Sequence, residues 1–359
     1  MKNSNVYCVI MAGGIGTRFW PLSTSKFPKQ FHDVLGTGKT LIQQTYERIL
    51  HITDAERIYV ITDKMYNDLV KKQLPDLQDY QIISEPMGMN TAPCALYSAM
   101  KIQKTDANAK ILLCPSDHLI INENKFAEKV QLALDSLDQK DGLYTLGIQP
   151  TRPDTGYGYI QYIESDNPVK KVKTFTEKPN RELAEKFLLS GDFLWNSGIF
   201  VWKAQTIIEA FKKFLPDMHQ AMFQIYDDLN TDIEKRKVNK VYPVLQKISI
   251  DHGIMERHKT VYVIPASFGW SDLGTWTSLY ENSNRNRQRN AILGKTVKLY
   301  KSKGNLVHVA KDKAVVIEGL NNYIVIDTKN ALLICPMESD QEVKNFVNDL
   351  KLSKGEKFV

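Results

Sequence analysis

The first half of the chain alternates short apolar runs with longer amphipathic stretches, and few folds accommodate that rhythm. Val6–Met11, Arg57–Thr62, Gln81–Ser84, Ile111–Cys114 and Leu143–Gly147 have the length and apolarity of buried strands. Between them, Leu41–Leu50, Tyr66–Gln73, Thr91–Lys104 and Lys125–Leu137 repeat apolar residues at helical spacing. Strand–helix alternation of this kind predicts an α/β fold with a doubly wound, largely parallel sheet. Ligands of such sheets bind beyond the carboxyl ends of the strands. The residues just after Met11, Ser84 and Cys114 are therefore the places to look for chemistry.

The second half reads differently. Tyr159–Ile163 and Val169–Phe175 are expected strands; Arg181–Leu189, Ala204–Phe214 and Thr231–Lys240 are expected helices. Residues 282–311 are rich in Arg, Lys and Asn. Four short apolar runs follow, Leu306–Val309, Ala314–Ile317, Tyr323–Ile326 and Ala331–Ile334, at a spacing of roughly eight to nine residues. That spacing predicts a small all-β, solenoid-like module, closed by a helix over Asp340–Leu352. A chain of 359 residues suits two domains, here residues 1–285 and 286–359.

Composition narrows the function classes. An apolar content of 43% with 25% charged residues excludes disordered and fibrous chains. The first apolar run, Val6–Ala12, is too short to span a bilayer, which takes about 20 residues, and it lacks the flanks of a signal peptide. Cys8, Cys94, Cys114 and Cys335 form no CxxC pair and sit among apolar neighbours, as reduced thiols of a cytoplasmic protein would. The net charge of +6 is unevenly spread. Residues 282–311 hold eight basic side chains, Lys311 included, and no acid; residues 1–40, Lys2 included, carry +4, so the remainder is net acidic. No aromatic residues interleave the basic segment in the manner of single-strand binders. The charge points to a small anionic substrate, with no nucleic acid and no membrane partner.

The most informative stretch is Met11-Ala12-Gly13-Gly14-Ile15-Gly16-Thr17-Arg18-Phe19-Trp20-Pro21-Leu22, followed by Lys26-Phe27-Pro28-Lys29-Gln30-Phe31. Glycines let backbone N–H groups approach a phosphate closely, and Arg18 and Lys29 supply charge for an anion. A dinucleotide loop, GxGxxG, requires a third glycine where this chain has Phe19. A P-loop around Gly38-Lys39-Thr40 requires glycine where it has Asp33. The long pattern GGxGTRxxPLTxxxPKx, in contrast, is matched almost throughout from Gly13 to Gln30. The chain thus resembles the sugar-nucleotide pyrophosphorylases. Trp20–Ser23 and Pro28–Phe31 make it similar to the mannose-1-phosphate guanylyltransferase family in particular, and the resemblance covers nearly the whole chain.

Later motifs follow the family's order. Ser84-Glu85-Pro86 and Asn90-Thr91-Ala92-Pro93 resemble its base-recognition segment, with Met89 where the family usually carries Arg. Asn90 or Thr91 also suits a helix cap. Pro115-Ser116-Asp117-His118 and Gly269-Trp270-Ser271-Asp272-Leu273-Gly274-Thr275-Trp276 resemble its two acidic motifs. Asp154-Thr155-Gly156-Tyr157-Gly158, Phe175-Thr176-Glu177-Lys178-Pro179 and Trp195-Asn196-Ser197-Gly198-Ile199-Phe200 resemble its sugar-side motifs. Ile250-Asp251 with Met255-Glu256 also fits the family pattern, with structural packing as the expected role.

The resemblance implies a Rossmann-like mixed sheet and transfer of GMP from GTP to α-D-mannose 1-phosphate, giving GDP-mannose and pyrophosphate. It assigns Arg18 and Lys29 to catalysis, and Ala12, Gly13, Gly14, Gly16, Thr17, Glu85, Asn90 and Thr91 to the nucleotide. Gly158, Glu177, Lys178 and Asn196 fall to the sugar phosphate, and Asp117 and Asp272 to a Mg²⁺ cofactor. A relative using UTP or glucose 1-phosphate is the same-class alternative. A catalytically silent sensor would be expected to lack Arg18, Lys29 or a metal aspartate. Some family members carry a fused phosphomannose isomerase domain; none is expected within the residues up to Val359, and no isomerase activity with it. The C-terminal module is expected to pack on the catalytic domain or to form a homodimer contact.

Overall fold

The computed structural model describes residues 5–310, 312–353 and 355–359; Lys2 and Lys311 lie outside these. By packing, the chain divides into two compact units. One comprises the chain up to Gly13 with Thr45–Ser116 and Ile120–Trp270. The other comprises Gly14–Gln44, Asp117–Leu119 and Ser271–Val359. The division falls inside the glycine-rich loop, and residues 14–44 group with the chain beyond 271.

The first unit is built on nine strands: β1 (Val6–Met11), β2 (Ile58–Asp63), β3 (Ile82–Glu85), β4 (Lys110–Pro115), β5 (Leu143–Ile148), β6 (Tyr159–Tyr162), β7 (Lys170–Thr176), β8 (Phe193–Lys203) and β9 (Val261–Ala266). Their order in the sheet is β3-β2-β1-β4-β8-β5-β9-β7-β6. β1, β2, β3 and β4 are parallel. β8 runs antiparallel to both β4 and β5. The sheet is therefore mixed, and β8 is the element that reverses it. Its eleven residues read in sequence as a motif and not as a strand, because Asn196, Ser197 and Gly198 interrupt the apolar pattern. Helices Thr91–Thr105, Ala204–Phe214 and Pro216–Phe223 contribute to the main core with residues such as Leu96, Met100, Ile207, Phe211 and Met218. Among the described residues, no helix is long and apolar enough to cross a membrane.

The second unit contains the coiled module. β10 (Ala291–Leu293), β12 (Leu306–Val309) and β14 (Tyr323–Asp327) stack in parallel; β11 (Thr296–Tyr300) and β13 (Ala314–Glu318) form a second parallel pair. β15 (Leu332–Pro336) closes the first stack antiparallel to β14. Ala291 pairs with Leu306, and Leu306 with Ile324, so one coil takes fifteen to eighteen residues. The eight-to-nine-residue spacing seen in sequence is thus half a coil. β10 and β11 lie within the basic segment, where exposed Thr296, Lys298 and Tyr300 alternate with the half-buried Val297 and Leu299.

Two buried asparagines link these coils. Asn290 Oδ1 accepts from the backbone N–H and the Nδ2 of Asn305 (2.9 and 3.0 Å), and Asn290 Nδ2 donates to Ser302 O (2.9 Å). Asn305 donates to Leu320 O (2.8 Å) and accepts from Tyr323 N–H (2.9 Å). Each side chain thus satisfies backbone groups of neighbouring coils that would otherwise be buried unpaired. Asn305→Leu orphans several of them at once and should cost roughly 2–4 kcal/mol of stability. Urea unfolding of the full chain measures this; a change under about 0.5 kcal/mol, the usual surface value, would show that the ladder is not structural.

Candidate active site

The second unit holds the lower part of the glycine loop. Gly16 has a positive φ of 69° and opens a short helical turn, Thr17–Phe19, that carries Arg18. A Cβ on Gly16 would stand 2.9 Å from the Lys29 Cβ, so only glycine leaves room for the lysine stem there. Phe19 and Trp20 are buried in the core of this unit, with ring centroids of Phe19 and Trp276 4.5 Å apart. Arg18 is half-buried and makes no ion pair among the described residues.

Lys29 is the organising charge. Only 3% exposed, its Nζ lies 2.7 Å from Asp117 Oδ2 and donates to the backbone carbonyls of Asp272 (3.0 Å) and Leu273 (2.9 Å). The two acidic motifs, 155 positions apart in sequence, thereby meet on one ammonium. Burial alone would raise the Asp117 carboxyl, but the charges of Lys29 and His118 and the lysine hydrogen bond outweigh it. The net shift is downward, so Asp117 is ionised at neutral pH. Asp272 Oδ1 accepts from Gly274 N–H (3.0 Å), and its carboxylate occupies the space a Cβ on Gly274 would fill.

This donor set fits a hard divalent cation. Among the described residues no cluster of three or more His, Cys, Asp or Glu forms a closed metal cage. Mg²⁺ takes one or two carboxylates, with phosphate and water completing the octahedron, and the Asp117 and Asp272 side chains are oxygen donors of that class.

The first unit holds the upper loop and the remaining candidates. Ala12 is buried, and its backbone N–H donates to Ile61 O (2.8 Å). Glu85 is buried at the end of β3, where the Tyr242 hydroxyl donates to its Oε1 (2.5 Å). A Cβ on Gly13 would lie 3.3 Å from Glu85 Oε2. Burial pushes this carboxyl up to about 7, against the Tyr242 hydrogen bond that lowers it. Asn90 and Thr91 cap a helix: Asn90 Oδ1 accepts from Thr91 N–H (2.9 Å), and the Thr91 hydroxyl accepts from Ile250 N–H (2.9 Å). Buried Met89 stands where the family usually has Arg.

The sugar-side motifs converge within the same unit. Asn196 N–H donates to Gly158 O (2.8 Å), and a Cβ on Gly158 would fall 2.5 Å from Glu177 Oε2. Glu177 Oε1 accepts from Lys178 Nζ (2.6 Å), and Glu177 N–H donates to Glu256 Oε1 (3.3 Å). Asn196 Nδ2 donates to Asp251 Oδ1 (2.9 Å). Burial, then the Glu177 charge, pushes the Asp251 carboxyl up to about 7. Arg152 brings Nε and Nη2 to the one Oδ2 of Asp154 (3.0 and 2.8 Å) and stands over the rings of Tyr157 and Trp195. Asp251, Glu256 and Tyr242 are neighbours of the candidate residues that sequence reasoning did not place in the site, the first two having been expected to serve packing. Asp251 and Glu256 were visible as a motif; Tyr242 carries no sequence signal.

A mixed sheet whose first strand runs into a glycine-rich loop, and a lysine that joins two acidic motifs, are accompanied by a match of the nucleotidyl transferase family model to residues 7–289. A second, the MannoseP isomerase/GMP-like beta-helix domain, matches residues 294–350. The chain is 36% identical over 361 residues to the mannose-1-phosphate guanylyltransferase ManC of Salmonella typhimurium, covering 98% of this chain and 74% of that protein. It is 34% identical to the mannose-1-phosphate guanylyltransferase of Escherichia coli K12, with the same coverage. A solved Thermus thermophilus protein, described as a mannose-1-phosphate geranyltransferase, superposes with a TM-score of 0.87 at 29% identity, over 97% of this chain and 99% of that one. The chain belongs to the mannose-1-phosphate guanylyltransferase family.

Glu85 and Asp251 ionise near 7 in the fold, against 4.5 and 3.8 for the free groups. The native protein therefore retains protons that the unfolded chain releases. That contribution is complete below about pH 4 and is lost as pH rises through 7. Wild-type stability should fall across about pH 4 to 7 by up to about 1.4 kcal/mol per pH unit for each group. The Glu85→Gln/Asp251→Asn double variant should show a flatter curve. Chemical unfolding over that range checks this, and parallel curves for the two proteins would refute it.

Proposed function

We propose that this chain transfers GMP from GTP to α-D-mannose 1-phosphate, giving GDP-mannose and pyrophosphate. The support is family membership together with the complete set of motifs in order. The observation that carries most weight is the buried Lys29 ammonium, which gathers Asp117 and the Asp272 segment beside the glycine loop.

The chemistry is a displacement at phosphorus. A sugar-phosphate oxygen attacks the α-phosphorus of GTP in line; the new O–P bond forms as the bond to the β-phosphate bridging oxygen breaks and pyrophosphate departs with the electron pair. A phosphate monoester, whose second pKa is about 6, is already largely ionised at neutral pH, so no general base is needed. Two anions must be brought together, and the work is neutralisation and positioning. Gly13, Gly14 and Gly16, with Thr17, offer backbone to the triphosphate, and Ala12, whose N–H is held by Ile61 O, fixes where the loop leaves the strand. Arg18 offsets charge on the departing pyrophosphate. Lys29, whose three donors are engaged within the site, acts through its charge: it keeps Asp117 ionised and adds a positive field for the α-phosphate. Asp117 and Asp272 would hold Mg²⁺, which supplies charge neutralisation at phosphate oxygens.

Glu85 Oε2 and the Asn90–Thr91 segment face the base; guanine offers N1–H and N2–H donors that adenine lacks in that arrangement. Lys178 draws in the attacking phosphate. Glu177 and Asn196 accept from and orient the hexose, with Gly158 giving the backbone close access. Residues 1–285 carry this chemistry, and 286–359 form the β module with its closing helix. The four cysteines are all free and buried, which supports a reducing, cytoplasmic setting. A homodimer is the proposed assembly, and a monomer mass by light scattering would reject it.

Pyrophosphate release measured with each of four nucleoside triphosphates against several hexose 1-phosphates tests the reaction. GTP with mannose 1-phosphate should give the highest kcat/KM, and a clear preference for UTP or glucose 1-phosphate would replace this reading. Asp272→Asn, which changes charge without changing shape, should lower kcat by roughly 100-fold or more with unfolding unaltered. Near wild-type turnover at saturating Mg²⁺ would remove Asp272 from the mechanism.

A further inference from the structure

The basic segment that begins at Asn282 takes no part in the reaction above, and it borders a cavity of about 540 Å³ in the coiled module. That volume falls in the range of small-molecule sites. Its lining includes Arg289, Lys303, Asn321, Tyr280, Tyr323 and Glu338. Two cations thus face a single acid.

The corner of the coil makes the arginine conspicuous. Arg289, Gly304 and Asn322 occupy equivalent positions in successive coils, one residue before Asn290, Asn305 and Tyr323. Gly304 N–H donates to Gln288 O (3.0 Å) and Asn322 N–H to Lys303 O (2.9 Å). All three corners have positive φ, of 60°, 71° and 59°. Glycine and asparagine adopt that conformation most cheaply, and two corners use them. The first corner carries arginine instead, at a backbone cost that the fold itself does not require.

The charges there are also unspent. Lys301 and Lys313 of the same module each pair with a carboxylate, Glu318 and Asp327, at 2.9 Å. Arg289 and Lys303 are exposed, and neither makes an ion pair among the described residues. A third cation stands close by: the Arg285 guanidinium lies 5.2 Å from the ring centre of Tyr280. A strained arginine beside an unpaired lysine, opening into a concave site with tyrosine and amide groups, matches the needs of an oxyanion with a polar organic remainder.

We propose that this cavity binds a phosphorylated small molecule, with Arg289 and Lys303 holding the phosphate and Asn321 and the tyrosines meeting the rest of the ligand. None of these residues belongs to the catalytic set, so the site stands or falls independently of the reaction proposed above.

Amide NMR of the deuterated, ¹⁵N-labelled full chain, titrated separately with inorganic phosphate, mannose 1-phosphate and GMP, tests the proposal. Saturable shifts are expected at the amides of Lys303, Gly304 and Asn322 with at least one probe. The tightest probe tells whether bare phosphate, a hexose phosphate or a nucleoside phosphate is preferred. Shifts confined to Gly13–Thr17, or none at the coil corner up to about 10 mM, weaker than useful metabolite affinity, would overturn it. Arg289→Asn keeps a residue suited to positive φ. It should weaken binding roughly tenfold or more, as loss of a charge-assisted hydrogen bond does, with the unfolding temperature unchanged or raised. Lys303→Gln should weaken binding similarly. If Arg289→Asn lowers the unfolding temperature and leaves binding intact, the arginine serves the fold; if Lys303→Gln leaves affinity unchanged, the phosphate site is wrongly placed.

Discussion

The part of the second unit that holds the candidate site depends on one buried ammonium. Taking a lysine out of water costs several kcal/mol unless its donors are matched. Lys29 matches all three: a carboxylate at 2.7 Å and two carbonyls at 2.9 and 3.0 Å. The Phe19 ring lies 5.2 Å from the same nitrogen and adds a favourable face. Because the partners come from positions 117, 272 and 273, the ammonium fixes three distant segments together. It also explains a glycine, since any side chain at Gly16 would push against the Lys29 stem. Glycine here serves packing as much as phosphate access.

The first unit solves the opposite problem. Two of its buried carboxyls, Glu85 and Asp251, make no ion pair of their own among the described residues, and burial, with the Glu177 charge for Asp251, raises them to about 7. Asp251 is stabilised in its charged form by Asn196, and Glu85 by Tyr242, but neither gains a cation close enough to cancel desolvation. Such groups accept hydrogen bonds selectively, because a ligand that donates to them also settles their charge. Hydroxyl-rich sugars and the N–H edge of guanine are donors of that kind. The two units thus divide the electrostatic work: fixed cation and low-lying acid in one, poised acids in the other.

Much of this was legible in sequence, for identifiable reasons. Helices such as Thr91–Thr105 and Ala204–Phe214 declared themselves through apolar period, and β1 to β4 through isolated apolar runs. β8 did not, since a strand with three antiparallel neighbours and a positive-φ Gly198 within it has no clean alternation. The coiled module showed its strands but hid its repeat, because two strands per coil halve the apparent period. Motifs located Asp117 and Asp272, yet nothing local tells that Lys29 would pair with the first and bind the backbone of the second. Tyr242 was invisible for the same reason: a single hydroxyl aimed at Glu85 leaves no pattern along the chain.

The packing also changes what the C-terminal module is for. Phe19, Trp20, Val34 and Leu41 share one core with Trp276, Leu306, Ile324, Val343 and Val359. Trp276 Nε1 donates to Trp20 O (3.1 Å), Trp20 Nε1 to Phe358 O (2.8 Å) and the Ser25 hydroxyl to Val359 O (2.8 Å). The loop that carries Arg18 and Lys29 is therefore moulded on the coil and its closing helix, within one unit. A phosphate loop in a parallel sheet is ordinarily shaped by the strand that precedes it and the helix that follows. Here the strand supplies Gly13, while Phe19 and Trp20 are met by residues more than 240 positions later, which also supply two of the three partners of Lys29. A substitution deep in the coil, far from any motif, can then alter catalysis by moving Phe19 and Trp20, and with them the lysine on which both acidic motifs are hung.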